Sequence, residues 1–383
     1  MIIPFCIFAS MSGIYLHVPF CKQKCTYCDF HFSTTFESYR TKMVETMQQE
    51  LALRREYLTD FCLESIYFGG GTPSLLTLEE LQQFFSTLHA NFTLSENAEI
   101  TLEANPDDIT DENLANWRNV GINRLSIGLQ SFKEKDLNWM NRAHSVQDAL
   151  KCVELAKSHG FQNISVDIIY GLPELTLEEW KQHIALVLDM QVQHISAYCL
   201  TIESKTALHK MVATQKIFPA GEDAQSDQFL LLIELLKTGG FEQYEISNFG
   251  LPGLHAVHNS NYWKGKEYLG IGPSAHSFNG ISRRWNVANN SRYIANFNTQ
   301  KEWFEEEFLT PKDRWNEILL TGLRTSSGVQ FNQLLALQEL PVSFQEKLIE
   351  FSANKWLVQT DSSIVLTEQG RLMADHIAAE LFL

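Results

Sequence analysis

Three cysteines fall within eight residues, Cys21-Lys-Gln-Lys-Cys25-Thr-Tyr-Cys28, in a C-x3-C-x2-C pattern. Three thiolates on one short loop can hold three irons of a [4Fe–4S] cube and leave the fourth iron open to a small molecule. Zinc is the competing choice, because His17 and His31 flank the loop and zinc takes four Cys or His ligands. Simple burial is the bland alternative, but structural cysteines do not usually cluster at fixed spacing. The other four cysteines, Cys6, Cys62, Cys152 and Cys199, are scattered. Seven is an odd count, and the distribution does not suggest a disulfide framework.

Such a loop needs a rigid platform, and the chain from residue 13 to about 203 reads as one. Strands are predicted over Ile14–Val18, Ser65–Phe68, Glu99–Glu103, Arg124–Gly128, Ile164–Ile169 and His194–Leu200, mostly apolar on both faces, as buried parallel strands are. Helical patterns lie between them. Tyr39, Met43, Met47 and Leu51 share one stripe, and Thr77–Glu80 and Thr176–Glu179 match the T-x-x-E capping box. Gly121 and Gly160 stand where helix C-caps belong. Six β/α units in sequence imply an α/β fold with a parallel sheet, open or barrel-like.

In such folds chemistry gathers at the C-terminal ends of the strands. The cysteine loop follows the first strand and Gly69-Gly70-Gly71-Thr72-Pro73 follows the second. Glu103 ends the third, Gln130 follows the fourth with Arg142 twelve residues on, and Asp167 lies near the end of the fifth. Each has a plain alternative: a tight turn for the glycines, a Glu103–Arg142 ion pair, a helix cap for Asp167. Their convergence on one rim favours a ligand site.

Lysine and arginine number 30 against 46 aspartate and glutamate, a formal charge of −16. That acid excess argues against a nucleic-acid partner. No apolar run reaches about 18 residues, so no transmembrane span is expected, and reduced cysteines point to the cytoplasm. Residues 1–10 are expected to be a mobile extension or an upstream misassigned start, with Met11 opening the structured part. Residues 204–310 change character and read as a linking region that holds one clear helix, Asp223–Lys237, and the motif His258-Asn-Ser-Asn-Tyr-Trp263. Residues 311–383 read as a small, mostly helical domain with a hairpin near Asp361, winged-helix-like. Its six Lys and Arg against nine Asp and Glu weaken a DNA-binding role.

His258 carries two chemistries. A neutral imidazole can serve as an axial ligand to heme iron, and Tyr262 and Trp263 could wall a porphyrin. Equally, it could be a loop histidine bonded to its neighbours. His255 and His276 are competitors for ligation.

With these motifs in view, the chain resembles the radical S-adenosylmethionine (SAM) superfamily, in which C-x3-C-x2-C follows the first strand of a partial (β/α)6 barrel. GIYLHVPFCKQKCTYCDF, YFGGGTPS, LEANP, RLSIGLQSF, MNRAHS, DIIYGLP and GIGPSAHSF fit the branch that holds oxygen-independent coproporphyrinogen III oxidase and the HemW-type heme chaperones. The resemblance runs from about Gly13 to the C-terminus, with residues 311–383 as a HemN-like C-terminal domain. It implies a [4Fe–4S] cluster on Cys21, Cys25 and Cys28. It also implies SAM held by Tyr15, Tyr27, Gly70, Gly71, Thr72, Glu103, Gln130, Arg142 and Asp167. Two features lean toward the chaperones: Phe30 stands where the oxidases carry a fourth cysteine, and HNSNYW matches a chaperone motif. The resemblance then implies heme at His258 and delivery to membrane-bound respiratory heme proteins, through peripheral membrane contact at most. The oxidase remains the alternative, enzymatic activity stays open, and monomer and homodimer are equally compatible.

Overall fold

The computed structural model describes residues 12–383; the expectation for residues 1–10 lies outside the described residues. Six strands alternate with helices: β1 Ser12–Val18, β2 Cys62–Gly70, β3 Thr93–Ala104, β4 Arg124–Gln130, β5 Asn163–Tyr170 and β6 His194–Cys199. Each pairs in parallel with the next. This is the expected α/β arrangement, and it places the C-terminal ends of all six strands on one rim.

The strands are not apolar on both faces. Alternate residues such as Ile14, Leu16, Ile66, Phe68, Leu102, Ile127 and Val166 are fully buried under the helices. The other parity carries Tyr15, His17, Tyr67, Glu99, Glu103, Arg124, Ser126, Asp167 and His194. A strand presents successive side chains to opposite faces, so I-Y-L-H-V and E-I-T-L-E each give one oily face and one polar face. The polar one lines the inside of the curved sheet.

The covering helices form where the sequence places them. Thr77 and Thr176 make reciprocal capping boxes with Glu80 and Glu179, and Gly121 ends its helix in the left-handed region at φ 103°. Met43, Met47 and Leu51 form the buried stripe of the Arg40–Leu53 helix.

Residues 204–310, read from sequence as a link, supply strands to both edges of the same sheet. Strands β7 Glu242–Glu245 and β8 Asn248–Gly250 extend it antiparallel beyond β6. On the other edge β9 Tyr268–Ile271 runs parallel to β1, followed by β10 His276–Phe278, β11 Ser282–Asn286 and β12 Phe304–Phe308. Between them the Val257–Trp263 helix crosses beneath the N-terminal ends of β2 and β3. There the Glu99 carboxylate accepts the Val257 and His258 backbone N–H groups, each at 2.9 Å, and Glu64 accepts Asn261 Nδ2 at 2.8 Å.

The β9 edge is locked by a buried charge. Glu50, fully enclosed, pairs with Arg54 at 2.9 Å and accepts bonds from Gly272 N (2.9 Å), Asn286 Nδ2 (2.7 Å) and Tyr293 Oη (2.5 Å). Arg54 in turn donates to Gly270 O at 3.0 Å and Ser277 Oγ at 2.9 Å. One ion pair thus ties the first helix to residues more than 200 positions away.

Beyond residue 310 the chain builds a second core around Trp315, Leu319, Phe344, Leu348, Phe351 and Ile377. Strands β13 Val329–Gln330, β14 Leu357–Gln359 and β15 Ser363–Leu366 form a small sheet in the order β13-β15-β14, and with their helices they give the winged-helix shape. This unit docks on β7 and β8: Ile246 N donates to Arg324 O and Ser326 N to Tyr244 O, both at 3.0 Å. Among the described residues no helix is long and apolar enough to cross a membrane.

Removing one member of a buried ion pair strands the other. Glu50→Ala is therefore expected to cost about 3–5 kcal/mol of stability, read by urea unfolding of the purified chain. A loss under about 1 kcal/mol would show that Arg54 finds another partner.

Candidate cofactor site

The polar rim opens into a cavity of about 860 Å3. Cys21, Cys25 and Cys28 line it, with Tyr27, Gly70, Gly71, Thr72, Glu103, Gln130, Arg142 and Asp167. Residues drawn from five strand ends and separated by up to 146 positions (21 to 167) thus share one wall.

The cysteine loop is held from every side. Cys21 N bonds Ser33 O at 3.1 Å and Thr72 Oγ1 donates to Cys21 Sγ at 3.4 Å. Lys22 pairs with Asp107 at 3.1 Å and with Asp108, both just past β3. Thr26 N and Oγ1 bond Met140 O and Trp139 O at 3.0 Å each. Asn141 Nδ2 reaches Lys24 O at 2.7 Å while Gln23 Nε2 reaches Asn141 O at 2.9 Å. The loop is therefore shaped by the segments after β3 and β4 before anything binds.

Gly70 and Gly71 have separate reasons to be glycine. Gly70 sits at φ 106°, and a Cβ on Gly71 would lie 2.6 Å from Phe20 O in the chain entering the loop. Arg142 lies between β4 and the loop, donating to Asn105 Oδ1 (2.6 Å), Gly128 O (2.9 Å) and Cys25 Sγ (3.5 Å). The Glu103–Arg142 ion pair weighed from sequence is not formed. Instead Glu103 accepts Tyr67 Oη at 2.8 Å, and Asp167 accepts Ser126 Oγ at 3.3 Å. Gln130 holds φ 67°, an uncommon backbone for a side chain with a Cβ, of the kind found at ligand clamps.

Burial pushes the Cys21 thiol up to about 12 and the Cys28 thiol up to about 11. Both stay protonated at neutral pH until a metal displaces the proton. Burial, reinforced by the Asp167 charge, raises Glu103 to about 7, against the Tyr67 bond that lowers it. Burial likewise lifts Asp167 to about 6, opposed by Ser196, Arg124 and Ser126. Two carboxyls whose charged forms are disfavoured by burial in one pocket suit a cationic ligand, which would favour their ionised forms.

The donor set fits an iron–sulfur cube. All three thiols are free and reach one cavity, with the Arg142 guanidinium against one of them. Among the described residues no three His, Cys, Asp or Glu side chains converge as the ligands of one ion must. Three soft thiolates, with no further Cys or free His beside them among the described residues, are the donor set of such a cube and fall short of the four ligands that structural zinc takes. The flanking histidines are also engaged: His17 Nε2 bonds His31 O and His31 Nε2 bonds Asn290 Oδ1, both at 2.7 Å.

Two sequence candidates lie elsewhere. Tyr15 is one layer below the cavity, stacked on Tyr67 with centroids 6.0 Å apart and bonded to His17 Nδ1 at 3.2 Å. His258 is at the opposite end of the strands from the cysteines. Its Nδ1 bonds Ser65 Oγ at 2.9 Å and its ring stacks on Tyr67 at 5.1 Å. Burial, with Arg124 nearby, pulls it down to about 4, so it is a neutral imidazole in the floor of the barrel, bonded through Nδ1. Conversely, sequence inspection missed Arg324, Arg371, Leu372, Met373 and His376, which face the cavity from the C-terminal unit. No local pattern marks them; only docking on β7 and β8 brings them there.

Comparison with known proteins places the fold and the family. Residues 15–187 match the radical SAM superfamily model and residues 309–373 the HemN C-terminal domain. The heme chaperone HemW of Lactococcus lactis is 30% identical over 380 residues, 97% of each chain. That of Haemophilus influenzae is 32% identical over 383 residues, again 97% of each. The solved structure of the Escherichia coli coproporphyrinogen III oxidase HemN superposes with a TM-score of 0.83 at 21% identity, covering 97% of this chain and 90% of that one. At that identity the likeness concerns the fold.

The carboxyls give a pH signature. Glu103 keeps its proton to about pH 7 when folded but loses it near 4.5 when unfolded. Its contribution to stability is thus complete below about pH 4.5 and is lost as pH rises toward 7. Glu103→Gln cannot ionise, so in apoprotein its stability relative to the parent should rise by on the order of 2 kcal/mol between about pH 5 and pH 7.5. Urea titrations at each pH measure this; a constant difference would mean the carboxyl is already charged at pH 5.

Proposed function

The chain belongs to the HemW heme-chaperone family within the radical SAM superfamily, and from that premise we propose that it is a heme chaperone which carries a [4Fe–4S] cluster and SAM. The observation that carries this is the triad of free thiols sharing one preformed cavity with the glycine turn, Arg142 and two ligand-ready carboxyls. Heme is passed on to membrane-bound respiratory proteins from the cytoplasmic side.

Cys21, Cys25 and Cys28 hold three irons. A cube so held would leave one iron open to a chelating ligand and would supply it with a low-potential electron. The chain's own residues do the rest. Arg142 compensates the thiolate charge and orients Cys25. The turn at Gly70, Gly71 and Thr72 offers backbone to the amino-acid end of SAM, and Tyr27 and Gln130 close the same wall. Glu103 and Asp167 face the cationic and ribose parts, and Tyr15 supports them from beneath through the Tyr67 stack. Phe30, two residues after Cys28, is 67% exposed at the lip of the cavity, so no fourth thiol is available there.

Two measurements test this. Cys21→Ala, Cys25→Ala or Cys28→Ala should each abolish the brown iron–sulfur absorbance after anaerobic reconstitution; clusters retained in all three would defeat the assignment. The reconstituted parent should bind heme in a Soret titration and leave coproporphyrinogen III unconverted in the presence of SAM and a reductant. Conversion to protoporphyrinogen IX would make the chain an oxidase instead. SAM affinity should also rise as pH passes from about 6 to about 7.5, and Glu103→Gln should flatten that rise.

A further inference from the structure

We propose that the segment Arg371–His376 is the docking wall for the carboxylates of a tetrapyrrole, with Arg371 as the anion-binding side chain. The macrocycle then lies over the cysteine cavity and not against His258. This rests on the heme-chaperone reading and specifies where in the protein the cargo sits.

The cavity, at about 860 Å3, is near the top of the range for small-molecule sites. Its floor is the SAM and cluster wall described above. Its roof is contributed by the C-terminal unit and differs in character. Phe30 on the cysteine loop is 67% exposed, and Leu372 and Met373 on the far side are 38% and 37% exposed. Large apolar side chains from two separate units thus line one opening, with Phe32 and Ile246 beside them. A flat, apolar ligand suits that surface.

The cations of the cavity decide what else the ligand carries. Arg142 is committed to Asn105, Gly128 and Cys25. Arg324 is committed to Glu245 at 3.2 Å and Asp375 at 3.3 Å. Arg371, like Arg142, forms no ion pair among the described residues, but unlike Arg142 it has a single neutral partner there, the amide oxygen of Gln243, and it sits half-buried on the C-terminal wall away from the cysteine loop. Burial lowers its affinity for its proton, against the more distant Glu368 and Glu245 charges. A guanidinium held partly out of water without an anion is costly, and its planar fork matches a carboxylate. An apolar disc with carboxylates at one edge satisfies both the lip and the arginine. In that position its iron is out of reach of His258, which is bonded to Ser65 beneath the strands.

The test uses the full chain, reconstituted anaerobically, titrated with heme, with metal-free protoporphyrin IX and with protoporphyrin IX dimethyl ester, and separately with SAM. Arg371→Ala should weaken heme and protoporphyrin IX by about 10- to 100-fold, and Arg371→Lys by less. The dimethyl ester should bind the parent about as weakly as the free acid binds Arg371→Ala. SAM affinity should be unchanged. The urea unfolding midpoint of Arg371→Ala should match the parent's, which separates loss of docking from loss of fold. His258→Ala should keep heme affinity. Equal heme affinity in parent and Arg371→Ala, or equal binding of ester and acid, overturns the proposal while leaving the chaperone reading in place. A loss confined to SAM would mean that the carboxylate belongs to SAM, and also overturns it. Failure of the parent to bind any tetrapyrrole would instead remove the chaperone reading itself.

Discussion

Polar side chains on the inner face of six parallel strands are the constraint on which the rest of the structure depends. A barrel of this general kind is usually filled by branched aliphatics. Here the inner face holds Glu99, Glu103, Arg124, Asp167 and His194. Charges taken from water are tolerated only when they are bonded. Arg124 lies 3.7 Å from Glu99 and 3.4 Å from Thr101 Oγ1. His194 bonds Ser165 on one nitrogen and Tyr244 on the other, at 2.7 and 2.8 Å. The oily outer face, covered by helices, pays for this arrangement.

The two ends of that polar column have different fates. At the N-terminal end of the strands the Val257–Trp263 helix seals it, and Glu99 satisfies two of the helix's free N–H groups. The HNSNYW motif is thereby absorbed into the floor: His258 fills the space above Gly13, where a Cβ would sit 3.2 Å from the imidazole. At the C-terminal end the column stays open. The cysteine loop rims it, and burial raises the proton affinity of its carboxyls, Glu103 to about 7 and Asp167 to about 6. Trp263 links the two ends in a modest way, since the Arg324 guanidinium lies 5.4 Å from its ring centre while also facing the cavity.

Two additions outside the six strands complete the site. The buried Glu50–Arg54 pair fixes the β9 edge against β1, and so fixes the strand that leads into the cysteine loop. The C-terminal unit docks through β7 and β8 and brings a second, more apolar wall over the opening. The cavity is therefore a joint product of two cores, with cofactor-binding chemistry below and an apolar, cationic lip above.

Much of this was legible in the residues themselves. The cysteine spacing, the glycine turn, Glu103, Gln130, Arg142 and Asp167 were found because each follows a predicted strand, and strand ends in such a fold share a rim. Capping boxes and the Met43–Met47–Leu51 stripe were equally plain, since they depend on neighbours three or four residues away. The inner polar face is present as alternation in I-Y-L-H-V, although by composition the strands read as mostly apolar on both faces. What the sequence determined alone was local: periodicity, caps, and ligand types at fixed spacing. Only the tertiary structure decided that His258 lies beneath the barrel and Arg371 above it. Both placements are set by side chains distant in sequence, Ser65 and Glu99 for one and Gln243 for the other, and the chain between them carries no periodic signal that measures distance through space.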